Sequence, residues 1–326
     1  MTTLFLSTTG GHLEQLVSLA ARMPAGGDAL WVTHENDQSR SLLEGRDVEF
    51  VPYVRVANLP DVARCIPIAH RLWRERGVTR VVSTGSGIAL GFLPYLAARG
   101  VACHYVESAA RVSGPSRTGD VLHRIPRVRR YTQYAQWAGP RWVHRGSVLD
   151  SYETDPAPQP RPIADVLRVV VTVGTAAEFP FSRLIDRLAP LLAPDGELAA
   201  ATGASVEVLW QTGCTPVEHL PIEATPFLPA DKLVAAIGDA DLIVSHAGVG
   251  SALTALAAGR RPLLAGRSAA LGEAGDDHQA QLADELARRG LVFAREPDAI
   301  TVDDLLLALS SGVRRSATPP AFELLP

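Results

Sequence analysis

A short apolar run that breaks into glycines sets the terms for this chain: Leu242-Ile243-Val244-Ser245-His246-Ala247-Gly248-Val249-Gly250-Ser251. Its first residues have the character of a buried strand, and the glycines turn the backbone into a helix that begins near Ser251. A strand, a glycine turn and a helix N-terminus leave several backbone N–H groups in one hollow. With the positive end of the helix dipole, that hollow is a receptor for phosphate. Such turns are common in α/β proteins. What narrows the reading is a second polar cluster, Asp276-Asp277-His278-Gln279, which opens another helix. Between the two lies an apolar strand, Pro262-Leu263-Leu264-Ala265, and the cluster offers short polar arms suited to sugar hydroxyls.

The same alternation fills the rest of the chain. A strand over 3–7 runs into Thr8-Thr9-Gly10-Gly11-His12, and the next helix sets Leu13, Leu16, Val17 and Ala20 on one face. Strands follow over 29–33 and, more weakly, 48–52, then a helix over 60–76 with Val62, Ile66, Ala69 and Trp73 at core spacing. The β-branched strand 79–83 meets Thr84-Gly85-Ser86-Gly87 and an apolar helix, and the strand 101–106 ends in Glu107-Ser108. Three strands thus end in small or polar residues, where open α/β sheets gather their functional groups. Strand–helix alternation implies a parallel, doubly wound sheet.

A run of prolines from Asp155 to Pro162 fits neither helix nor central strand and reads as a stiff linker. Beyond it the pattern restarts with a strand over 168–173 ending in Gly174-Thr175, then a helix bearing Leu184, Ile185, Leu188 and Leu191. An Ala/Gly-rich loop is expected over 199–203, a strand over 206–210 leading to Gln211, and Phe227-Leu228 before a helix over 231–237. The closing elements are a helix over 279–289, a strand over 291–294 and a helix over 302–309; the tail after Ser311 shows no pattern. The expected organisation is one Rossmann-like domain over 1–150, a linker over 151–167, a second Rossmann-like domain over 168–312 and a tail over 313–326. The active site is expected at the junction of the two halves.

Composition bounds the function. A chain of 326 residues can hold two cores, and a net charge of -4 argues against a general nucleic-acid binder. Cys65, Cys103 and Cys214 are too far apart for a metal knuckle, so no structural metal is implied and reduced cytosolic thiols are the simplest reading. The strand-like Leu4-Phe5-Leu6 argues against a signal peptide, and no apolar run approaches the roughly 20 residues needed to span a bilayer. Between 111 and 145 many arginines are offset only by Asp120 and interleaved with Leu122, Ile125, Trp137 and Trp142. That stretch reads either as a solvated face or as a surface that meets anionic headgroups or a diphosphate.

Taken together, these residues resemble a known family. Val171-Thr172-Val173-Gly174-Thr175, Phe179-Pro180-Phe181, Ser245-His246-Ala247-Gly248 and Asp277-His278-Gln279 resemble the catalytic subunit of the eukaryotic two-subunit N-acetylglucosaminyltransferase. That enzyme adds the second sugar to dolichol-diphosphate. Gly10-Gly11-His12, Ser83-Thr84-Gly85-Ser86-Gly87 and Val106-Glu107-Ser108-Ala109-Ala110-Arg111 resemble its membrane-recruiting partner. Bacterial exopolysaccharide glycosyltransferases resemble the same pair; this chain looks like both halves fused and is more distantly similar to the peptidoglycan lipid II synthase.

The resemblance implies an α/β GT-B fold whose two Rossmann-like domains present parallel sheets to a cleft between them. It implies an inverting transfer from a UDP-sugar to a polyprenyl-diphosphate-linked saccharide, with no cofactor, by a cytoplasmic protein peripheral on the inner face of the plasma membrane. The uracil would meet Phe227 and Leu228, the diphosphate Gly174, Thr175 and the Gly248, Gly250 and Ser251 turn, and the donor sugar His278 and Gln279; Gln211 and His246 would complete the donor site. His12 would be the general base and Glu107 its partner or the acceptor's guide, with Gly10, Gly11, Gly85, Ser86 and Arg111 around the acceptor. Thr254 stands where the family usually carries a ribose-binding glutamate, and a hydroxyl is the weaker acceptor. A GT-B UDP-sugar 2-epimerase and a non-catalytic nucleotide-sugar-binding partner are the alternatives.

Overall fold

The computed structural model describes residues 2–24, 27–55, 58–156, 165–174 and 178–326. The chain divides into two compact units, Met1–Ser151 with Thr318–Pro326, and Tyr152–Ala317. Most of the proline-rich stretch and Thr175 lie outside the described residues.

In the first unit the order is β1 (Thr2–Ser7), α1 (Gly11–Ala20), β2 (Asp28–Thr33), α2 (Asp37–Leu42), β3 (Val48–Phe50), α3 (Leu59–Arg76), β4 (Val78–Gly85) and α4 (Gly87–Ala97). There follow β5 (Ala102–Val106), α5 (Arg117–Leu122), β6 (Val128–Thr132) and β7 (Val143–His144). The strands form one wholly parallel sheet in the order β3-β2-β1-β4-β5-β6-β7. The chain builds outward in one direction from β1 and in the other from β4, so the switch of winding falls between these neighbours. Leu4, Leu6, Leu30, Val32 and Val81 meet Ile88, Phe92 and Leu93 of α4 in the core on one face. Each such side chain contributes roughly 1.5–3 kcal/mol by leaving water.

Two helix faces differ from the expected ones. On α3 the fully buried residues are Asp61, Cys65, Ala69 and Leu72; Val62 and Trp73 pack half-buried against the core as expected, while Ile66 is 41% exposed. The helix is rolled by one position because Cys65 packs on Gly91 of α4, where a Cβ would lie 2.4 Å from the Cys65 Cβ. On α1, Leu13, Gln15, Leu16 and Leu19 are buried, whereas Val17 and Ala20 line a cavity of about 670 Å³ with Phe5 and Trp31.

The arginine-rich stretch is surface only in part. Its centre is the strand β6, Trp142 is 6% exposed, and Leu122, Trp142 and the half-buried Trp137 belong to the core, the two tryptophan rings 5.2 Å apart. Arg130 donates to the carbonyls of Leu122 and His123 and so closes the end of α5. Arg117, Arg124, Arg127, Arg141 and Arg145 remain exposed.

The second unit runs β8 (Tyr152–Thr154), β9 (Val166–Thr172), α6 (Ser182–Leu191), α7 (Glu197–Thr202), β10 (Ser205–Gln211), β11 (Ala224–Thr225), α8 (Ala230–Asp239) and β12 (Leu242–His246). It continues with α9 (Val249–Ala257), β13 (Leu263–Ala265), α10 (His278–Arg288), β14 (Phe293–Ala294), α11 (Val302–Leu309) and β15 (Val313–Arg315). Its six-stranded sheet, β11-β10-β9-β12-β13-β14, is again wholly parallel, with the switch between β9 and β12. Leu184, Ile185, Leu188 and Leu191 of α6 are all buried as the periodicity requires. The stretch expected as an Ala/Gly loop is the helix α7, anchored by the buried Leu198.

The tail expected to lack structure has it. Val313–Arg315 pairs antiparallel with β8, and Phe322, fully buried, then packs 5.8 Å from the Tyr131 ring in the first unit. Among the described residues no helix is long and apolar enough to cross a membrane.

Candidate active site

In the first unit the turns after β1 and β4 flank the switch of winding and are bonded to each other. Thr8 N–H donates to the Gly85 carbonyl at 2.9 Å, and the Thr84 hydroxyl donates to the His12 carbonyl at 2.8 Å. His12 Nδ1 lies 2.7 Å from the Thr84 carbonyl oxygen. That oxygen can only accept, so Nδ1 carries the proton and Nε2 keeps its lone pair. Burial, and to a lesser degree the Arg111 charge, hold the imidazole below its ordinary pKa, against the opposing Thr84 bond. His12 is therefore a neutral imidazole, its ring oriented by the Thr84 carbonyl and its Nε2 able to accept a proton. Gly85 is needed beside it: its φ is +98°, and a Cβ would sit 3.3 Å from the Tyr105 hydroxyl and 3.5 Å from His12 Cε1.

Of the other residues expected here, Gly10 opens α1 at φ +79° and donates its N–H to Gln38 Oε1 at 2.6 Å, with Gly11 the first residue of the helix. Ser86 caps α4, its hydroxyl 2.6 Å from Gly87 N. Arg111 is held by its backbone, donating to Ser108 O at 2.9 Å and accepting from Trp137 Nε1 at 3.2 Å.

Glu107 does not stand as a free catalytic group. It is 1% exposed, and both carboxylate oxygens are occupied by its own chain. Oε1 accepts from Tyr105 Oη at 3.1 Å and Ser108 N at 3.0 Å; Oε2 accepts from Ser116 N at 2.9 Å and Ser116 Oγ at 3.0 Å. Burial raises its pKa in spite of these bonds. Its geometry is that of a clamp on residues 108–116. A residue not foreseen, Gln15, is 1% exposed and ties the turns together. It donates to Gly11 O, and its Oε1 accepts from Ala109 N at 2.8 Å and Gln133 Nε2 at 2.9 Å. A glutamine on the buried face of a helix was the available signal.

The second unit repeats the arrangement at β9 and β12. The imidazole of His246 lies close to two glycines: a Cβ at Gly174 would come 2.7 Å from its Cε1, and one at Gly248 2.4 Å from its Nε2. These glycines thus make room for a histidine of their own chain. Burial, then the Arg267 charge, push His246 down to about 4. Gly248 is the N-cap of α9 and no side chain caps that end, so the first N–H groups, from Val249, Gly250 and Ser251, face outward from the helix. Thr254 donates to Gly250 O at 3.0 Å, which commits the hydroxyl to the helix backbone.

Gln211, 2% exposed, donates to Thr172 Oγ1 at 3.0 Å and accepts from Leu228 N at 3.3 Å, which fixes the turn carrying Phe227, itself 63% exposed. His278 Nδ1 is paired with the Asp276 carboxylate, while Gln279 Oε1 is enclosed without a hydrogen-bond partner among the described residues. Gly266 lets α10 pack against the end of β13, since a Cβ there would lie 2.8 Å from the Ala280 Cα. Arg267 was not foreseen; it is 4% exposed and donates to Val173 O at 2.6 Å. Among the described residues no group of three or more His, Cys, Asp or Glu is placed to hold a metal ion.

Residues 168–311 match the glycosyltransferase family 28 C-terminal domain. The chain is a glycosyltransferase of the GT-B fold. Structures of that fold match nearly its whole length. MurG of Acinetobacter baumannii aligns at 20% identity and a TM-score of 0.55, covering 94% of this chain and 89% of that one. The glycosyltransferase SnogD from Streptomyces nogalater aligns at 21% and 0.56, covering 95% and 91%. A putative UDP-N-acetylglucosamine 2-epimerase from Listeria monocytogenes, at 12% and 0.54 over 87% of each chain, shares the fold. No protein of curated function matches the sequence.

Proposed function

We propose that this glycosyltransferase moves a sugar with inversion from a UDP-sugar to a polyprenyl-diphosphate-linked saccharide in cell-surface polysaccharide synthesis. The observation that carries the reading is His12, a neutral imidazole whose Nδ1 is fixed on the Thr84 carbonyl and whose Nε2 is left to act as base. Its Nε2 takes the proton of the acceptor hydroxyl, and the oxygen attacks the anomeric carbon opposite the diphosphate. The carbon–oxygen bond to the diphosphate breaks with its electron pair, which inverts the centre. Charge on the departing group is met by the uncapped N–H groups of α9.

The uracil is assigned to the turn at Phe227 and Leu228, and the donor sugar to His278 and Gln279, whose enclosed Oε1 needs a donor. Glu107 positions residues 108–116 toward the acceptor rather than taking a proton. The lipid-linked acceptor rests on the resemblance of both halves to lipid-linked-oligosaccharide enzymes. Peripheral attachment to the inner leaflet is supported by the exposed Arg117, Arg124, Arg127, Arg141 and Arg145, each worth up to about 1 kcal/mol near an anionic surface. The family match favours transfer over epimerisation.

Incubation with membrane lipid extract and a panel of nucleotide-sugars tests this. UDP release from one donor, only with lipid, is the expected result. Isomerisation of a nucleotide-sugar without lipid would reject it.

A further inference from the structure

We propose that Arg267 is the cation that receives the diphosphate of the donor, a role resting on the donor reading above. Arg267 follows Gly266 at the carboxyl end of β13 and is 4% exposed. A buried full charge is tolerated when an opposite charge or several hydrogen bonds accompany it. Arg267 has one hydrogen bond among the described residues, from Nη2 to the Val173 carbonyl, and its guanidinium lies 5.4 Å over the Phe181 ring. Its Nε is enclosed with no acceptor.

The acid nearest in sequence, Glu273, acts on Arg267 only through space, its charge opposing the effect of burial on the guanidinium. Its oxygens are bonded to Arg183 at 3.1 and 3.0 Å and accept from Ser268 N. Among the described residues no carboxylate is hydrogen-bonded to Arg267, which leaves its Nε for a closer anion.

The surroundings say which one. Val173, to which it donates, directly precedes Gly174; a Cβ at Gly174, or at Gly248, the uncapped start of α9, would fall within 3 Å of the His246 ring. His246 is neutral and supplies no charge of its own. A guanidinium and a free helix N-terminus are therefore both neighbours of one imidazole at the β9/β12 switch, which suits a phosphate group. As the bond from the anomeric carbon to the diphosphate breaks, the leaving group gains one negative charge. Arg267 then stabilises the departing diphosphate more than the intact donor.

The test is calorimetry on the full chain with uridine, UDP and inorganic pyrophosphate, for wild type, Arg267→Met and Arg267→Lys. Methionine keeps the length over Phe181, and a thermal melt verifies each fold. Wild type is expected to prefer UDP to uridine and to bind pyrophosphate. Arg267→Met should weaken UDP and pyrophosphate by about 10- to 100-fold and leave uridine unchanged, with Arg267→Lys in between. A folded Arg267→Met, or failing that Arg267→Lys, with the wild-type ratio of UDP to uridine affinity overturns the proposal. If wild type binds pyrophosphate but neither uridine nor UDP, and Arg267→Met loses it, the uridine-donor reading falls while the anion site stands. A wild type that binds none of the three rejects both.

Discussion

Replacing Gly248 by alanine probes its close approach to His246 directly. Its φ of -94° suits any residue, so the cost is purely one of space. The new Cβ would stand 2.4 Å from His246 Nε2 and 3.0 Å from Cε1, so the ring, whose Nδ1 lies 3.4 Å from the Thr172 carbonyl oxygen, or the turn itself must shift. Overpacking of this kind costs about 1–3 kcal/mol. At roughly 2–4 °C per kcal/mol for a unit of this size, Tm should fall by about 2–12 °C. Removing the ring removes the clash, so in a His246→Ala background Gly248→Ala should be nearly neutral. Gly174→Ala makes the control. Its φ of +77° adds about 1–2 kcal/mol of backbone strain that His246→Ala cannot relieve. Urea unfolding of the single and double variants gives the coupling energy. A coupling below about 0.5 kcal/mol between positions 246 and 248 would refute the packing argument.

Glu107→Gln sets an amide NH₂ against backbone and hydroxyl donors, so urea unfolding should show a loss of about 1–3 kcal/mol; a collapse of kcat at unchanged stability would return Glu107 to the chemistry. His12→Ala should lower kcat by about 10²- to 10⁴-fold, and the acid limb of the wild-type rate profile should fall below the ordinary histidine pKa of 6.5. Between pH 6.5 and about 4 the unfolded chain protonates His246 and the folded chain does not, so stability falls as pH drops through that window. His246→Gln should flatten that fall in a pH series of denaturant melts. Iodoacetamide should label Cys214 alone in the native chain, because burial pushes the Cys65 thiol up to about 11 and Cys103 to about 12; a second label by mass spectrometry would contradict that burial.

What was legible in the sequence was what depends on near neighbours. The strand ends with their glycines, and the α6 face at Leu184, Ile185, Leu188 and Leu191, follow from local periodicity, and the structure has them. What was not legible depends on partners far along the chain. Gly174 and Gly248 read as room for a ligand, and only the fold brings His246 against both. The roll of α3 is decided by Gly91, and β6 was hidden because Arg129 and Arg130 stand in a strand whose Val128 and Tyr131 are buried. Glu107 looked like a catalytic carboxylate because Ser116, which takes up one of its oxygens, lies beyond an irregular loop. Gln15 and Arg267 each act on groups more than 90 residues away.

The order of synthesis gives the tail a weight that its length conceals. Residues 318–326 complete the unit that the first 151 residues begin. Arg22 donates to the Pro320 carbonyl, its own carbonyl accepts from Phe322 N, and Leu325 N donates to the Tyr131 hydroxyl. A ribosome releases the N-terminal unit with this seam open, and all of the second unit is made before the piece that closes it emerges. The first unit therefore waits, with the Tyr131 face uncovered, until residues 318–326 have been made.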